Sequence, residues 1–254
     1  MDVNKVFEFW NNVSEDEMKH KDKNLIQLEF EFIKDFLYNL DKPLRILDIG
    51  CGTGHYDIEL AKILPHQILG IDYSKRMISK ANELLYKSKL TNVSFKHMDI
   101  NNIDTFGNFD VIISKRCLIN IPTWKAKKDI IDIIYDKLNP GGHFIMIEAS
   151  QQGLDRLNKL RQQFKLNPIE VVWHNESFNE QELFNYFNFK FNVMRKTHFS
   201  LYYIISRVFY PYIIAPYEPQ HASPLNKIAA KLHRKLPDLY NYGLHMCLDL
   251  EKIE

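Results

Sequence analysis

Ile46-Leu47-Asp48-Ile49-Gly50-Cys51-Gly52-Thr53-Gly54 is an apolar run that closes on an acid and then on three glycines at alternate positions. Such a stretch reads as a buried strand turning tightly into a helix. Glycine admits left-handed backbone angles and removes the Cβ that would hold a ligand off the turn. A small flat molecule can therefore lie directly on main chain here. The dinucleotide fingerprint Gly-x-Gly-x-x-Gly needs a glycine at position 55, which is His55.

Working outward, Ile68-Leu69-Gly70-Ile71-Asp72 is a second short apolar strand ending in an acid, placed to accept the two ribose hydroxyls of a nucleoside. Val93-Ser94-Phe95-Lys96 leads to Asp99 and Ile100, and Phe109 to Ser114 forms a fourth strand. The turn Leu138-Asn139-Pro140-Gly141-Gly142 opens a fifth, running to Glu148. Helical patterns at 54–64, 74–89 and 123–138 fall between these strands, so the order is βαβαβαβαβ. That alternation predicts an α/β protein with a doubly wound, Rossmann-like parallel sheet and ligands at the carboxyl ends of its strands. Asp48, Asp72, Asp99 and Ser114 all fall at those ends.

The pattern Asp48-x-Gly50-x-Gly52-x-Gly54 resembles motif I of the class I S-adenosylmethionine (SAM) dependent methyltransferases, and the Leu-x-Pro-Gly-Gly turn at 138–142 is similar to theirs. The resemblance covers residues 44–149 closely. It implies a seven-stranded sheet whose last strand is antiparallel and lies between strands five and six. It also implies SAM as cofactor, with Asp99 bonding the adenine amino group and the main chain at Ile100 reaching the ring. The expected cofactor set is Asp48, Gly50, Cys51, Gly52, Gly54, Asp72, Tyr73, Met77, Asp99, Ile100 and Lys115.

Ahead of the sheet, Ile26, Phe30, Ile33, Leu37 and Leu40 recur at helical spacing and predict an amphipathic helix ending before Pro43. After it come a helix within 150–178, a helix at 180–187, strand six at 191–199 and strand seven at 242–252. Residues 200–240 exceed any hairpin and predict a helical cap over the substrate, available also as a subunit interface. The expected divisions are N-terminal helices over the cofactor edge at 1–43, a SAM-binding core at 44–199, the cap at 200–240 and the final core strand at 241–254.

With 33 basic and 32 acidic residues the net charge is +1, which leaves no footprint for nucleic acid. Three cysteines, Cys51, Cys117 and Cys247, lack metal-ligand spacing and suit a reducing cytoplasm. The amino terminus lacks a secretion-signal layout, and the apolar stretch 201–216 is interrupted by Arg207 and Pro211, too short to span a bilayer. A cytoplasmic enzyme acting on a small molecule, without a metal, is the expectation.

Lys115 and Arg116, at the end of strand four, are two adjacent cations suited to an anionic acceptor. His174 is the first candidate for a general base if a hydroxyl must be deprotonated, so His174 and Arg116 are the expected catalytic pair. Gln152, Asn175, Tyr203 and Arg207 complete the substrate candidates, with Glu148, Gln151, Arg156, Tyr202 and His221 as further polar groups. Trp10, Met18 and His20 stand where they could close over the cofactor. The segments Ser150-Gln151-Gln152-Gly153, Trp173-His174-Asn175 and Ser206-Arg207 resemble methyltransferases of bacterial capsule and surface-polysaccharide pathways, some of which methylate a phosphoramidate. The implied function is O-methylation of a small phosphoryl- or phosphoramidate-bearing precursor in capsule biosynthesis. A sugar hydroxyl or amine of a nucleotide sugar, and a non-catalytic SAM-binding partner subunit, are the alternatives.

Overall fold

A computed structural model describes residues 3–13, 22–40, 42–238 and 240–253. Met18 and His20 lie outside these residues. The strands are β1 (Arg45–Ile49), β2 (Gln67–Asp72), β3 (Val93–His97), β4 (Phe109–Lys115), β5 (Leu138–Ala149), β6 (Phe191–Thr197) and β7 (His245–Lys252). They form one sheet in the order β3-β2-β1-β4-β5-β7-β6, parallel except for β7, which pairs antiparallel with both β5 and β6. This is the predicted seven-stranded arrangement. The order reverses between β1 and β4, so the ligand crevice of such a sheet lies outside their carboxyl ends.

Both faces of the sheet are buried, which explains why its strands read as unbroken apolar runs. Ile46, Ile113, Ile145, Ile147 and Cys247 point into one core, and Leu47, Ile112, Phe144, Met146 and Leu248 into the other. Alternate residues of a strand face opposite ways, so each strand feeds both layers. Helices Val3–Asn12 (α1), Lys23–Tyr38 (α2), His55–Ile63 (α3), Lys75–Ser88 (α4) and Trp124–Lys137 (α5) surround the first five strands. Gln151–Gln163 (α6) and Glu180–Phe187 (α7) follow. Ser74 and Thr123 cap α4 and α5 by accepting from Met77 and Ala126 N–H.

Two elements differ from the sequence reading. On α2 the buried stripe is Leu25, Leu28, Glu29, Phe32, Ile33 and Leu37, while Ile26, Phe30 and Leu40 are only half-buried. The helix is rolled so that a carboxylate, Glu29, faces inward. Strand seven starts at His245 rather than at 242, and strand six stops at Thr197, because Phe199 takes a left-handed φ of 53° and starts the next helix. Between β6 and β7 run Ser200–Ile204, a π-helical turn Ile205–Phe209, Tyr210–Ile214 and Pro224–His233. This segment shares a core with α2 and the sheet through Tyr202, Tyr203, Val208, Ala229 and Ala230.

Main chain meets main chain where β7 begins: Gly243 N–H donates to Gly153 O at 3.4 Å, and a Cβ on Gly153 would stand 2.1 Å from Gly243 O. Gly153→Ala is expected to destabilise the protein by about 1–3 kcal/mol through overpacking, measured by urea unfolding. Unchanged stability would show that the two segments separate freely.

Candidate active site

The β1–α3 turn is held down by Gly50 and Cys51 N–H, which both donate to Ile71 O at 2.8 and 3.0 Å. Gly50 has φ 70°, and a Cβ there would sit 2.4 Å from Cys117 Sγ, so the turn is pressed against the segment after β4. Gly52 has φ 56° with nothing within 4 Å of its missing Cβ. Its bare peptide faces open space. Asp72 stands beside it: Oδ2 accepts from Gly52 N–H at 3.0 Å and Oδ1 from Ser74 N–H at 2.8 Å. The acid therefore fixes the turn and still has lone pairs to spare for a ligand. Asp99 is exposed past β3 and caps Asn101, and Ile100 is half-buried behind it. Tyr73 stacks on Phe7 at 4.9 Å with its hydroxyl buried and without a hydrogen-bond partner among the described residues, while Met77 is packed beneath, 4% exposed. These residues fit an adenosyl group: an open main-chain cradle, an acid hydrogen-bonded beside it, and a second acid further along the same edge.

Asp48 is different. It is buried and hydrogen-bonded to Asp57, and burial pushes its carboxyl up to about 7 against the pull of Lys115. Burial and the Asp48 charge raise Asp57 well above the usual carboxylate range. Two carboxyls sharing one site cannot both ionise cheaply. The pair braces α3 against β1, and Asp57 carried no signal in the sequence reading.

After β4 the chain makes a corner. Arg116 takes φ 55°, a rare angle for a bulky residue. Glu148, from β5, holds the corner: it accepts from Ser114 Oγ at 2.6 Å and from the N–H groups of Cys117, Leu118 and Ile119 at 3.0–3.1 Å. Burial nevertheless pushes its carboxyl up to about 7. The corner aims Arg116 at Glu29, with Nη2 to Oε1 at 2.5 Å. Lys115 lies 3.5 Å from the Tyr56 ring centre, and burial lowers its ammonium to about 8. Glu29 Oε1 also lies 3.2 Å from His245 Nδ1, which is 3.1 Å from the Tyr203 hydroxyl. Glu29 is fully buried yet held below the usual carboxylate range, because the Arg116 and His245 partners outweigh its desolvation. Glu29 Oε2, Arg116 Nε and Tyr56 OH are buried and bond nothing among the described residues.

A second polar layer lies behind this one. Asp22 accepts from the Tyr202 hydroxyl at 2.6 Å and from Arg207, and His221 Nδ1 lies 3.7 Å from it. Arg207 is thus engaged with the head of α2. Gln152 Oε1 accepts from Glu180 N–H at 2.8 Å, and Arg156 bonds Glu180 at 3.0 Å, so both serve the packing of α6 on α7. Asn175 N–H closes a turn on Val172 O, and His174 lies in a cage of rings with Phe9, Trp10 and Trp173. Trp10 Nε1 donates to Asn120 Oδ1 at 3.1 Å, which ties α1 and this cage to the β4 corner. Burial lowers the His174 pKa, and its Nδ1 is buried without a partner among the described residues.

Residues 40–199 match the family model described as methyltransferase domain. The chain belongs to the methyltransferase-domain family. SAM is the cofactor that goes with this family and with the cradle just described. The chain is 30% identical over 165 residues to carboxy-S-adenosyl-L-methionine synthase of Nautilia profundicola, covering 62% of this chain and 68% of that one. It is 29% identical over 119 residues to demethylmenaquinone methyltransferase of Geobacillus sp. strain WCH70, covering 46% and 50%. The chain thus spans between half and about two thirds of these curated relatives. Magnesium protoporphyrin IX methyltransferase of Synechocystis PCC 6803 with bound SAM superposes at TM-score 0.64 with 15% identity, covering 100% of this chain and 98% of that one. Among the described residues no helix is long and apolar enough to cross a membrane, and no three His, Cys, Asp or Glu side chains group as a metal site.

Asp72→Ala is expected to weaken S-adenosylhomocysteine (SAH) binding at least about 100-fold in calorimetry, since it removes charged acceptors from both ligand and turn. Binding within a few-fold of wild type would remove Asp72 from the cradle. The raised Asp48 carboxyl also gives a pH signature. Its native form binds more protons than its unfolded form between the two pKa values, so its contribution to stability falls as pH rises from about 4 to 7. Asp48→Asn is expected to flatten that descent relative to wild type in urea titrations at several pH values. Parallel curves would contradict the assignment.

Proposed function

We propose that this chain catalyses SAM-dependent O-methylation of a small anionic acceptor, a phosphoryl- or phosphoramidate-bearing precursor of a capsular or surface polysaccharide. The observation that carries the reading is the β4 corner, where Arg116 Nε, the Lys115 ammonium and the Tyr56 hydroxyl converge in a buried cluster next to the glycine turn. SAM supplies a methyl group on a sulfonium: the acceptor oxygen forms the new O–C bond as the C–S bond breaks, its electron pair going to sulfur. Gly52, Asp72, Tyr73, Asp99 and Ile100 would hold the cofactor. What the chain adds is position and dryness.

Arg116 and Lys115 supply fixed positive charge, and Arg116 Nε, which bonds nothing among the described residues, is a donor for an oxyanion. The rings of Phe9, Trp10, Trp173 and His174 pack together on the side held by α1. The relatives are named for acceptors as different as demethylmenaquinone and magnesium protoporphyrin IX, so the shared fold leaves the acceptor open. Glu29 already neutralises much of the Arg116 charge, which favours an acceptor that also offers a hydroxyl to Glu29 Oε2, such as a sugar phosphate.

Incubating purified protein with SAM and a panel of phosphorylated sugars and phosphoramidates is expected to give SAH and a product heavier by one methyl group, read by mass spectrometry. Arg116→Ala would leave Glu29 buried without its partner and cost about 3–5 kcal/mol of stability. Arg116→Lys is the sharper probe. It should leave SAH affinity within a few-fold and raise the acceptor KM about tenfold or more by losing the planar fork. An unchanged KM would remove Arg116 from acceptor binding.

A further inference from the structure

Among the buried polar groups that the cofactor does not explain, the Glu29–His245 pair has the geometry of a carboxylate-oriented imidazole. Glu29 is kept ionised by Arg116 at 2.5 Å and can only accept hydrogen bonds. The His245 Nδ1 atom faces Glu29 Oε1 at 3.2 Å and the Tyr203 oxygen at 3.1 Å. The Glu29 carboxylate and the Tyr203 oxygen both face Nδ1, so a proton on Nδ1 has an acceptor on each side, and this arrangement favours that tautomer. The lone pair then sits on Nε2. Among the described residues Nε2 makes no hydrogen bond, and unlike Nδ1 of His174 and His198 it is not a sealed, partnerless atom. His245 keeps 5% of its surface open.

The position suits a base. His245 opens β7 opposite Ala149 of β5, at the carboxyl edge where β4 delivers Lys115 and Arg116. Neighbouring strands lie roughly 4.8 Å apart, so β7 is about 10 Å from β4 and about 14 Å from the glycine turn on β1. Arg116 and Glu29 connect the β4 corner to His245. The groups facing His245 are Glu29 from α2, Lys115 and Arg116 from the end of β4, and Tyr203 from the insert. Burial and the two cations outweigh Glu29 and lower the His245 pKa, so the ring is neutral at neutral pH and free to accept a proton.

We infer that His245 Nε2 takes the proton from an acceptor hydroxyl, with Glu29 as its positioning residue. The inference rests on the O-methylation reading and narrows it: the reacting oxygen belongs to a hydroxyl of the anionic acceptor and not to its ionised phosphoryl group. That oxygen keeps the O–H electron pair for its new bond to carbon, and the proton passes to Nε2. The resulting imidazolium is balanced by Glu29, and the neutral imidazole is restored once the proton leaves to water.

The test is the tautomer of His245 in the full chain, read by long-range proton–nitrogen NMR of 15N-labelled protein saturated with SAH, with His245→Asn for assignment. An unprotonated Nε2 and a protonated Nδ1 at neutral pH are expected, titrating to imidazolium below the usual histidine pKa as pH is lowered from about 8 to 5. Glu29→Gln should mix the tautomers; should that variant not fold, the wild-type spectrum decides alone. A proton on Nε2, or an imidazolium at neutral pH, overturns the inference whatever the acceptor. With α-glucose 1-phosphate and phosphoramidate as probes, SAH release is expected with the sugar phosphate, falling about 10²–10⁴-fold in His245→Gln with loss of the low-pH limb. Equal release from phosphoramidate by wild type and His245→Gln also overturns it. If SAH does not bind wild type at all, the cofactor reading fails instead.

Discussion

The ion pair between Glu29 and Arg116 is the constraint on which the reacting end of the molecule depends. Arg116 reaches it only because the chain turns into a left-handed angle after β4, and that angle persists only because Glu148 collects three successive peptide N–H groups beyond it. Glu29 reaches it only because α2 is rolled to bury a carboxylate between Leu25, Leu28, Phe32 and Ile33. Burying two charges costs several kcal/mol per ion, and mutual attraction with good geometry recovers it. A protein needing only stability would fill the space with apolar side chains. Keeping a charged pair there, beside Nε and Oε2 atoms that bond nothing among the described residues, makes chemical sense at a binding centre.

The pair also links the parts of the chain that the sheet alone would leave separate. Helix α2, the β4 corner, the start of β7 and the insert after β6 meet through Glu29, Arg116, His245 and Tyr203. The insert is thereby anchored at its own Tyr202 and Arg207 to Asp22, at the head of α2. On the other side, the turn at Gly50 presses on Cys117, one residue past Arg116. Cofactor cradle and polar cluster therefore share a wall.

Much of this was legible in the sequence. The β1 run and its glycines, the acid ending β2 and the Pro-Gly-Gly turn before β5 set the core, since each is a local pattern whose spacing matches a strand, turn or helix cap. Asp72 beside Gly52 followed from that spacing. Glu29 did not, because a lone acid inside an apolar helical stripe is usually read as a solvent-facing break; its falling four residues from both Leu25 and Ile33 was the available signal. His245 was hidden for a different reason. Tyr242, Leu244, Met246, Leu248 and Leu250 alternate, so the odd positions passed for a wet face, whereas β7 lies between β5 and β6 and is buried on both sides. Asp48 is expected at the ligand, and the structure adds its pairing with Asp57, a contact across a helix and a strand that no local pattern carries. Gln152 and Arg207 were singled out for polarity, and the fold spends both on its own packing.

A crystal structure of the chain grown with SAH tests the central claim most directly. The account predicts the adenosyl group lying on the bare peptide at Gly52, its ribose hydroxyls bonded to Asp72, and its sulfur end directed toward the Arg116–Glu29 pair. A ligand bound elsewhere, or one whose sulfur points away from that pair, would contradict it.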